Sequence, residues 1–241
     1  MPILKKLILI ALILLAFSAI YKFYGLERVS KNIFYKAQAT LVLALDKDIN
    51  IRLAVPFHKQ EHALSCEIAT LKMALNYYGV GVAEEDLLKD LPFDTKHPRS
   101  KENIWGDPDK GFVGNIDGKI PNTGYGVYEK PIVELAEKYR RARILQDPSL
   151  SDVLEEVAKK RPVIVWGAIG SSKDISWRTK DGRFIKAVSG EHTRLIIGFS
   201  GTVSNPKNII LLDPIYGKRV VSKNSFLSDW SLLDNKAVVV Y

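Results

Sequence analysis

The hydrophobic period of the chain changes once, near residue 162, and this change constrains the fold more than any other feature. Before it, apolar residues recur at helical spacing in segments 65–78, 84–91, 131–139 and 151–160. After it, short apolar segments have the pattern of strands, at residues 162–169, 184–188, 193–199, 209–213, 218–221 and 237–241. One more helix is predicted over residues 222–233. Helices first and strands second predict an α+β fold with an antiparallel sheet.

The length of the chain allows one sizeable core. It has 241 residues, 46% of them hydrophobic, and we expect one domain over residues 52–241, preceded by a connector over residues 25–51. The net charge of +8 suits anionic surroundings such as lipid headgroups or cell-wall polymers. The basic residues are interleaved with acidic ones, so we expect no nucleic-acid partner. We expect the protein to be a monomer.

Residues 1–24 form a targeting segment. Lys5 and Lys6 precede the almost wholly apolar residues 7–21, which are followed by Lys22. This length is typical of a signal peptide, but the candidate cleavage point after Ser18 is weak, so we expect an uncleaved hydrophobic helix that anchors the chain in the membrane. The domain is then extracytoplasmic, or secreted if the segment is cleaved. Basic residues beyond the apolar run oppose the positive-inside rule and leave the orientation open.

Cys66 is the only cysteine and stands at the start of the helix predicted over residues 65–78. Ser65 can cap this helix, and Gly79 can end it in the left-handed conformation. A thiol in the first turn meets unpaired N–H groups and the positive end of the helix dipole, which predicts a lowered pKa and a reactive thiolate. A single cysteine excludes an intramolecular disulfide and any CxxC motif.

Four motifs occur in order along the chain: VPFHKQ at 55–60, SCEIATLKMALNYYGV at 65–80, EHTRLIIGF at 191–199 and LLDPIYG at 211–217. Together they resemble the bacterial peptidase C39-like domains, relatives of the papain-like cysteine peptidases, over residues 52–241. The resemblance implies a papain-like fold, with an N-terminal helical part followed by an antiparallel sheet. One departure is Glu67-Ile68, where many relatives carry Gly-Pro after the cysteine.

The resemblance also implies a catalytic site. It makes Cys66 the nucleophile, His192 the general base, Asp213 the carboxylate that orients the base, and Gln60 the donor to the oxyanion. The spacing is consistent with this assignment, because Gln60 lies six residues before Cys66. If the strands of His192 and Asp213 form a hairpin with its turn at 201–206, residues 196–198 pair with 209–211 and the two side chains share one sheet edge.

The implied activity is that of a cysteine peptidase, a thiol hydrolase that cleaves peptide or amide bonds in a peptide or protein substrate. No cofactor and no metal ligands are expected. Two alternatives stay open: an acyl transferase or transpeptidase that uses the same thioester chemistry, and a catalytically inactive domain that binds ligands on the same scaffold.

Two metal sites are alternatives to this interpretation. His58, His62 and Cys66 would align as zinc ligands on a continuous helix, but Pro56 and the helix start at Ser65 predict a loop there. Residues 107–118 begin like a calcium loop, but a glycine stands where an EF-hand needs its last glutamate. The glycine-rich loop over residues 105–131 either forms one wall of the substrate groove, as the resemblance implies, or is purely structural.

Overall fold

A computed structural model describes residues 49–241 of the chain. The hydrophobic helix, the signal or anchor segment and most of the connector therefore lie outside the described residues. Within residues 49–241, no helix combines the length and the apolar character needed to cross a bilayer.

Five α-helices occur in the described part of the chain, and all five were predicted. They are α1 (Cys66–Tyr77), α2 (Glu84–Asp90), α3 (Glu129–Glu137), α4 (Leu150–Ala158) and α5 (Lys223–Trp230), the last followed by a 3-10 turn, Ser231–Leu233.

The ends of two helices test the predicted caps. Gly79 ends the region of α1 with a φ of 78°, as predicted. Ser65 precedes α1 but makes no side-chain cap, because its hydroxyl accepts the N–H of His62 instead. The predicted cap of α4 at Ser151 is wrong. Ser149 is the N-cap, since its hydroxyl and the carboxylate of Asp152 form a reciprocal capping box.

Eleven strands occur in the same described part. They are β1 (Ile49–Arg52), β2 (Phe93–Thr95), β3 (Phe112–Val113), β4 (Ala142–Ile144), β5 (Val163–Ala168), β6 (Trp177–Arg178), β7 (Phe184–Ile185), β8 (Glu191–Gly201), β9 (Pro206–Asp213), β10 (Gly217–Ser222) and β11 (Ala237–Val240). The main sheet is antiparallel, in the order β10-β9-β8-β5-β11-β4, and β1 also pairs with β8. The predicted α+β fold with an antiparallel sheet is thus confirmed.

The β8–β9 hairpin has the predicted register. Ile196 pairs with Leu211, Gly198 pairs with Ile210, and the turn connects Gly201 to Pro206. Strands β1 and β4 of the main sheet and the short strands β2, β3 and β6 outside it were not predicted, because segments of two to four residues carry too little alternation to stand out. β1 pairs with the last part of β8, beyond the part that pairs with β5.

Helices cover both faces of the sheet, and β8 contacts one helix on each face. On one face, Thr70 of α1 lies 3.2 Å, hydroxyl to hydroxyl, from Thr193 of β8. On the other face, Arg194 of β8 forms an ion pair with Asp229 of α5. Successive side chains of a strand alternate between the two faces. β8 therefore carries one set of residues towards α1 and another towards α5.

Candidate active site

His192 and Asp213 meet at one edge of the sheet. His192 Nε2 lies 3.1 Å from Asp213 Oδ2, and the two residues are only 2% and 4% exposed. The ring N–H is poorly aligned with that oxygen, so the contact has the distance of an ion pair without good hydrogen-bond geometry. The structure thus brings together the predicted base and the carboxylate predicted to orient it.

The ionisation of this pair follows from burial and mutual contact. Burial lowers the pKa of His192, and Asp213 offsets this only in part, so the imidazole is neutral at neutral pH. Burial alone would raise the pKa of Asp213, but His192 and the N–H groups of Tyr216 and Ile215 together hold it below its ordinary value. A neutral base beside a carboxylate is the state needed to accept a proton.

Gln60 is joined to the same sheet edge through its backbone. Its N–H donates to the carbonyl of Pro214 at 3.0 Å, directly after Asp213. Its side-chain Nε2 donates to the carbonyls of His62 and Ala63, at 2.8 and 3.1 Å. The backbone of Gln60 is therefore tied to the residue after Asp213, and the amide predicted to stabilise an oxyanion is bonded to its own loop in this conformation.

Glu84, which the sequence interpretation missed, supports the Gln60 loop. This fully buried carboxylate accepts the N–H of Glu61 at 3.1 Å and lies 2.6 Å from His58 Nε2. The acidic start of α2 was visible in the sequence, but only the fold shows that the loop packs against it. Glu84 therefore contacts the loop on both sides of Gln60, at the His58 side chain and at the Glu61 backbone.

Cys66 is the first residue of α1 and lies among carboxyl groups. The residue is 4% exposed, and its Sγ donates to Glu67 Oε2 at 3.3 Å. The other oxygen of Glu67 accepts the N–H of Val127 at 2.6 Å. One carboxylate oxygen of Glu191 completes a group in which the three ligand-type atoms lie within 4.8 Å of one another.

The predicted lowering of the Cys66 pKa is wrong. Burial, Glu67 and Glu191 raise the pKa of the thiol, and the opposing contact with Thr193 is too small to offset them. Burial raises the pKa of Glu67 to about 7, and burial together with Glu67 raises the pKa of Glu191. The helix N-terminus favours the thiolate, but a buried position beside two acidic groups outweighs it.

Cys66 and His192 belong to two neighbouring groups of residues. Alternation along β8 turns Glu191 and Thr193 towards α1 and Cys66, and His192 towards α5 together with Arg194. Among residues 49–241, the hydrogen bond of the Cys66 thiol goes to Glu67 and none joins it to His192. The structure thus places a base with its carboxylate and a thiol with two acids, and the triad stays a prediction.

The residues weighed as metal ligands have separate partners. His58 lies with Glu61 and Glu84, whereas His62 contacts Asp117 and Glu85, so these histidines do not converge on Cys66.

The loop weighed as a calcium site is occupied by side-chain cations. Asp107 is paired with Arg183 and Lys110. The same loop lines a cavity of about 570 Å³ with Trp105 and Asp107, and its role as a groove wall stays a prediction.

Comparison with known proteins gives consistent matches. A model of the Peptidase_C39 like family matches residues 52–238. The Bacillus subtilis (strain 168) protein YvpB, which is described as uncharacterized, is 30% identical over 181 residues, covering 73% of this chain and 68% of that protein. The crystal structure of a Bacillus anthracis protein named provisionally as a C39-like peptidase superposes with a TM-score of 0.67 at 25% identity, covering 79% of this chain and 96% of that one.

Proposed function

Because this chain belongs to the Peptidase_C39 like family, we propose that it is a cysteine peptidase that cleaves peptide or amide bonds in a peptide or protein substrate. The observation that carries the proposal is the buried His192–Asp213 pair, 3.1 Å apart, whose edge of the sheet is joined to the Gln60 loop through Pro214. A base, its carboxylate and an amide donor are the parts that a thiol nucleophile needs.

The reaction proceeds in two halves through a thioester. His192 takes the proton of the Cys66 thiol, and the sulfur attacks the carbonyl carbon of the substrate. The amide of Gln60 and the N–H of Cys66 donate to the developing oxyanion. His192 then gives its proton to the leaving amine. Water, deprotonated by His192, hydrolyses the thioester and restores the thiol.

This mechanism includes a rearrangement of the thiol. In the structure the Cys66 Sγ is buried and bonded to Glu67 on the α1 side of β8, whereas His192 lies on the α5 side. The bond to Glu67 must therefore break, and the thiol and the imidazole must move to the same side of the strand, before the proton can pass to His192. Burial, together with the carboxyl groups of Glu67 and Glu191, raises the pKa of the thiol and keeps it protonated until then. We infer that this arrangement corresponds to a resting state of the proposed enzyme.

The environment of the thiol also favours a second candidate, a domain of this family that binds a ligand without cleaving it. A thiol with a raised pKa, surrounded by buried acids, is a poor nucleophile. The two functions differ in whether a covalent intermediate ever forms at Cys66.

A peptide library and a peptide electrophile separate the two candidates. The full-length protein is incubated with each, and products and adducts are identified by mass spectrometry. The peptidase proposal expects cleavage and an adduct on Cys66, both abolished in Cys66→Ala and His192→Ala but kept in Ser204→Ala, a control at an exposed residue of the turn between β8 and β9. An adduct without cleavage, followed by coupling to an added amine, would identify acyl transfer. Binding without an adduct would support the non-catalytic domain.

We also propose that the apolar N-terminal segment holds the protein on the membrane, with the domain on the extracytoplasmic side. The anchor is supported by residues 7–21, which carry no charge, and by the lysines on either side, which can lie at the two interfaces. The extracytoplasmic orientation has only Lys5 and Lys6 in its favour.

A further inference from the structure

A second pocket lies at the opposite end of α1 from Cys66. It has a volume of about 530 Å³ and is lined by Tyr77, Tyr78 and Tyr241 together with Arg140, Lys159, Lys160 and Arg161. We call it the basic pocket. Its lining contains four cationic side chains and no acidic one, and its volume is in the range of pockets that hold small organic ligands.

Two of the four cations are neutralised by neighbours. Lys159 is paired with Glu155 and Glu156, and Arg161 with Glu156. Within residues 49–241, no carboxylate lies at ion-pair distance from Arg140 or Lys160. Arg140 and Lys160 are therefore the two cations of the pocket lining that have no ion-pair partner among the described residues.

The side chain of Arg140 is held against Tyr78, and one of its donors is left without a partner. Its guanidinium carbon lies 3.7 Å from the ring centroid of Tyr78, a stacked cation–π contact. The Tyr78 hydroxyl donates to the carbonyl of Val240 at 2.9 Å, which fixes the ring. The Nε of Arg140 is buried and has no hydrogen-bond partner among the described residues. Buried donors are rarely left without an acceptor, so this one points to a ligand.

Helix ends reduce the charge of the pocket but do not cancel it. α1 ends at Tyr77 and α4 ends at Ala158, and helix C-termini carry a partial negative charge. Each contributes about half a unit of charge, so the two dipoles are together comparable to one of the two free cations. Lys160 is exposed just after α4, where its ammonium group can move to meet an anion.

We propose that the basic pocket binds a phosphate-bearing ligand. A guanidinium fork and an ammonium group are the donors that proteins use for phosphate oxygens, and the fork matches two of those oxygens at once. The tyrosine rings provide an apolar wall for the organic part of a phosphate ester. The proposal goes beyond the proposed peptidase activity and does not rest on it, because α1 is 12 residues long and separates the two sites by about 18 Å.

Calorimetric titration of the full-length protein with inorganic phosphate and with glycerol 1-phosphate tests the proposal. We expect saturable binding that Lys160→Gln weakens about tenfold, because one charge-assisted hydrogen bond is lost. Lys159→Gln is the matched control, since this neighbouring lysine is already paired, and it should change the affinity less than twofold. Arg140→Lys keeps the charge and removes the fork, so it should weaken glycerol 1-phosphate binding as well.

Vesicles distinguish a lipid headgroup from a soluble phosphate. Binding of the full-length protein to phosphatidylglycerol vesicles, relative to phosphatidylcholine vesicles, should fall in Lys160→Gln if the ligand is a lipid. If only the soluble compounds respond to the substitution, the ligand is a soluble phosphate ester. Absence of saturable binding to both phosphate compounds and of a Lys160-dependent preference for anionic vesicles overturns the proposal. An equal loss in Lys160→Gln and Lys159→Gln also overturns it, because non-specific charge would then explain the binding.

Discussion

The thiol of Cys66 donates a hydrogen bond to the carboxylate of the next residue, Glu67, at 3.3 Å. Both groups are buried, and Glu191 adds a second acid to the same space. Whether the protein acts as a peptidase therefore depends on how this proton is released.

The ionisation of Cys66 can be measured by alkylation. We expect the native protein to react with a small neutral electrophile with an apparent pKa above the ordinary thiol value, since burial and the nearby carboxylates disfavour the thiolate. Glu67→Gln should lower this pKa, because it removes a negative charge beside the sulfur.

Glu61→Gln is the matched control for this measurement. Glu61 is an exposed glutamate with no contact to the thiol, so its substitution should leave the alkylation curve unchanged. The rate of alkylation is followed by mass spectrometry across pH. Rapid alkylation of the native wild-type protein at pH 6 would mean that the pKa of the Cys66 thiol is low, as the helix position alone predicts. That result would contradict the resting state.

Stability should fall as the pH rises from about 6.5 to 8. Glu67 and Glu191 have pKa values above those of the unfolded chain, so the native state holds protons that the unfolded chain has released. Their stabilisation is fully present below the unfolded value near 4.5 and is lost as the pH rises through the folded value. With a pKa of about 7, Glu67 alone removes about 1 kcal/mol in this window.

Two other buried groups, His192 and Asp213, make the free energy of unfolding rise with pH, which is opposite to the effect of the two glutamates. Both have lowered pKa values. The rise from Asp213 ends below pH 6.5, whereas the rise from His192 continues above its ordinary pKa of 6.5 and adds at most about 0.4 kcal/mol between pH 6.5 and 8, less than the loss from Glu67. Urea unfolding at pH 6.5 and 8 should therefore show a falling midpoint in the wild type and a smaller fall in Glu67→Gln. A midpoint that rises over this window would mean that the two glutamates are not protonated in the native state.

Asp213→Asn should separate catalysis from folding. The Oδ1 of an asparagine can still accept the N–H groups of Ile215 and Tyr216, so the turn after β9 is kept. The charge beside His192 is lost, and turnover of a cleaved peptide should fall by about 10²-fold or more. Asp213→Ala removes the turn contacts as well and should also lower the melting temperature. Full activity in Asp213→Asn would exclude the proposed role of this carboxylate.

Gly126→Ala should displace the buried carboxyl groups of Glu67 and Glu191. A Cβ at this position would lie 2.5 Å from Glu67 Oε1 and 2.7 Å from Glu191 Oε2, so one of the two side chains must move. We expect a loss of about 1–3 kcal/mol in the free energy of unfolding. Gly81→Ala is the matched control, because nothing lies within 4 Å of its Cβ. Equal stability of both variants in urea unfolding would show that the carboxyl groups do not pack against Gly126.

The full-length protein should fractionate with membranes and resist extraction by salt, because an apolar segment and not surface charge would hold it there. Fractionation followed by immunoblotting checks this, with a variant lacking residues 1–24 as the control that should become soluble. A mature N-terminus at residue 19, or release by a salt wash, would contradict the anchor.

The sequence predicts much of the fold because its signals are local. The hairpin of β8 and β9 follows from two apolar runs and a polar turn, so the approach of His192 and Asp213 could be foreseen. The raised pKa of Cys66 could not be foreseen, because Glu191 is distant in sequence and reaches the thiol only through the packing of α1 on β8. The start of α4 was misplaced because Ser149 and Ser151 are equally good caps in isolation, and only the Asp152 side chain decides between them.

The placement of His192 and Thr193 on opposite faces of β8 has a consequence for the evolution of this chain. Side chains in a strand alternate, so one inserted or deleted residue within β8 would turn His192 towards α1 and would send an acid or a threonine to Asp213. A single substitution in the strand affects one side chain on one face. A change in the length of the strand alters both the His192–Asp213 pair and the group around Cys66. Homologous chains should therefore vary in the loops on either side of β8 and keep the number of residues between His192 and the turn that leads to Asp213.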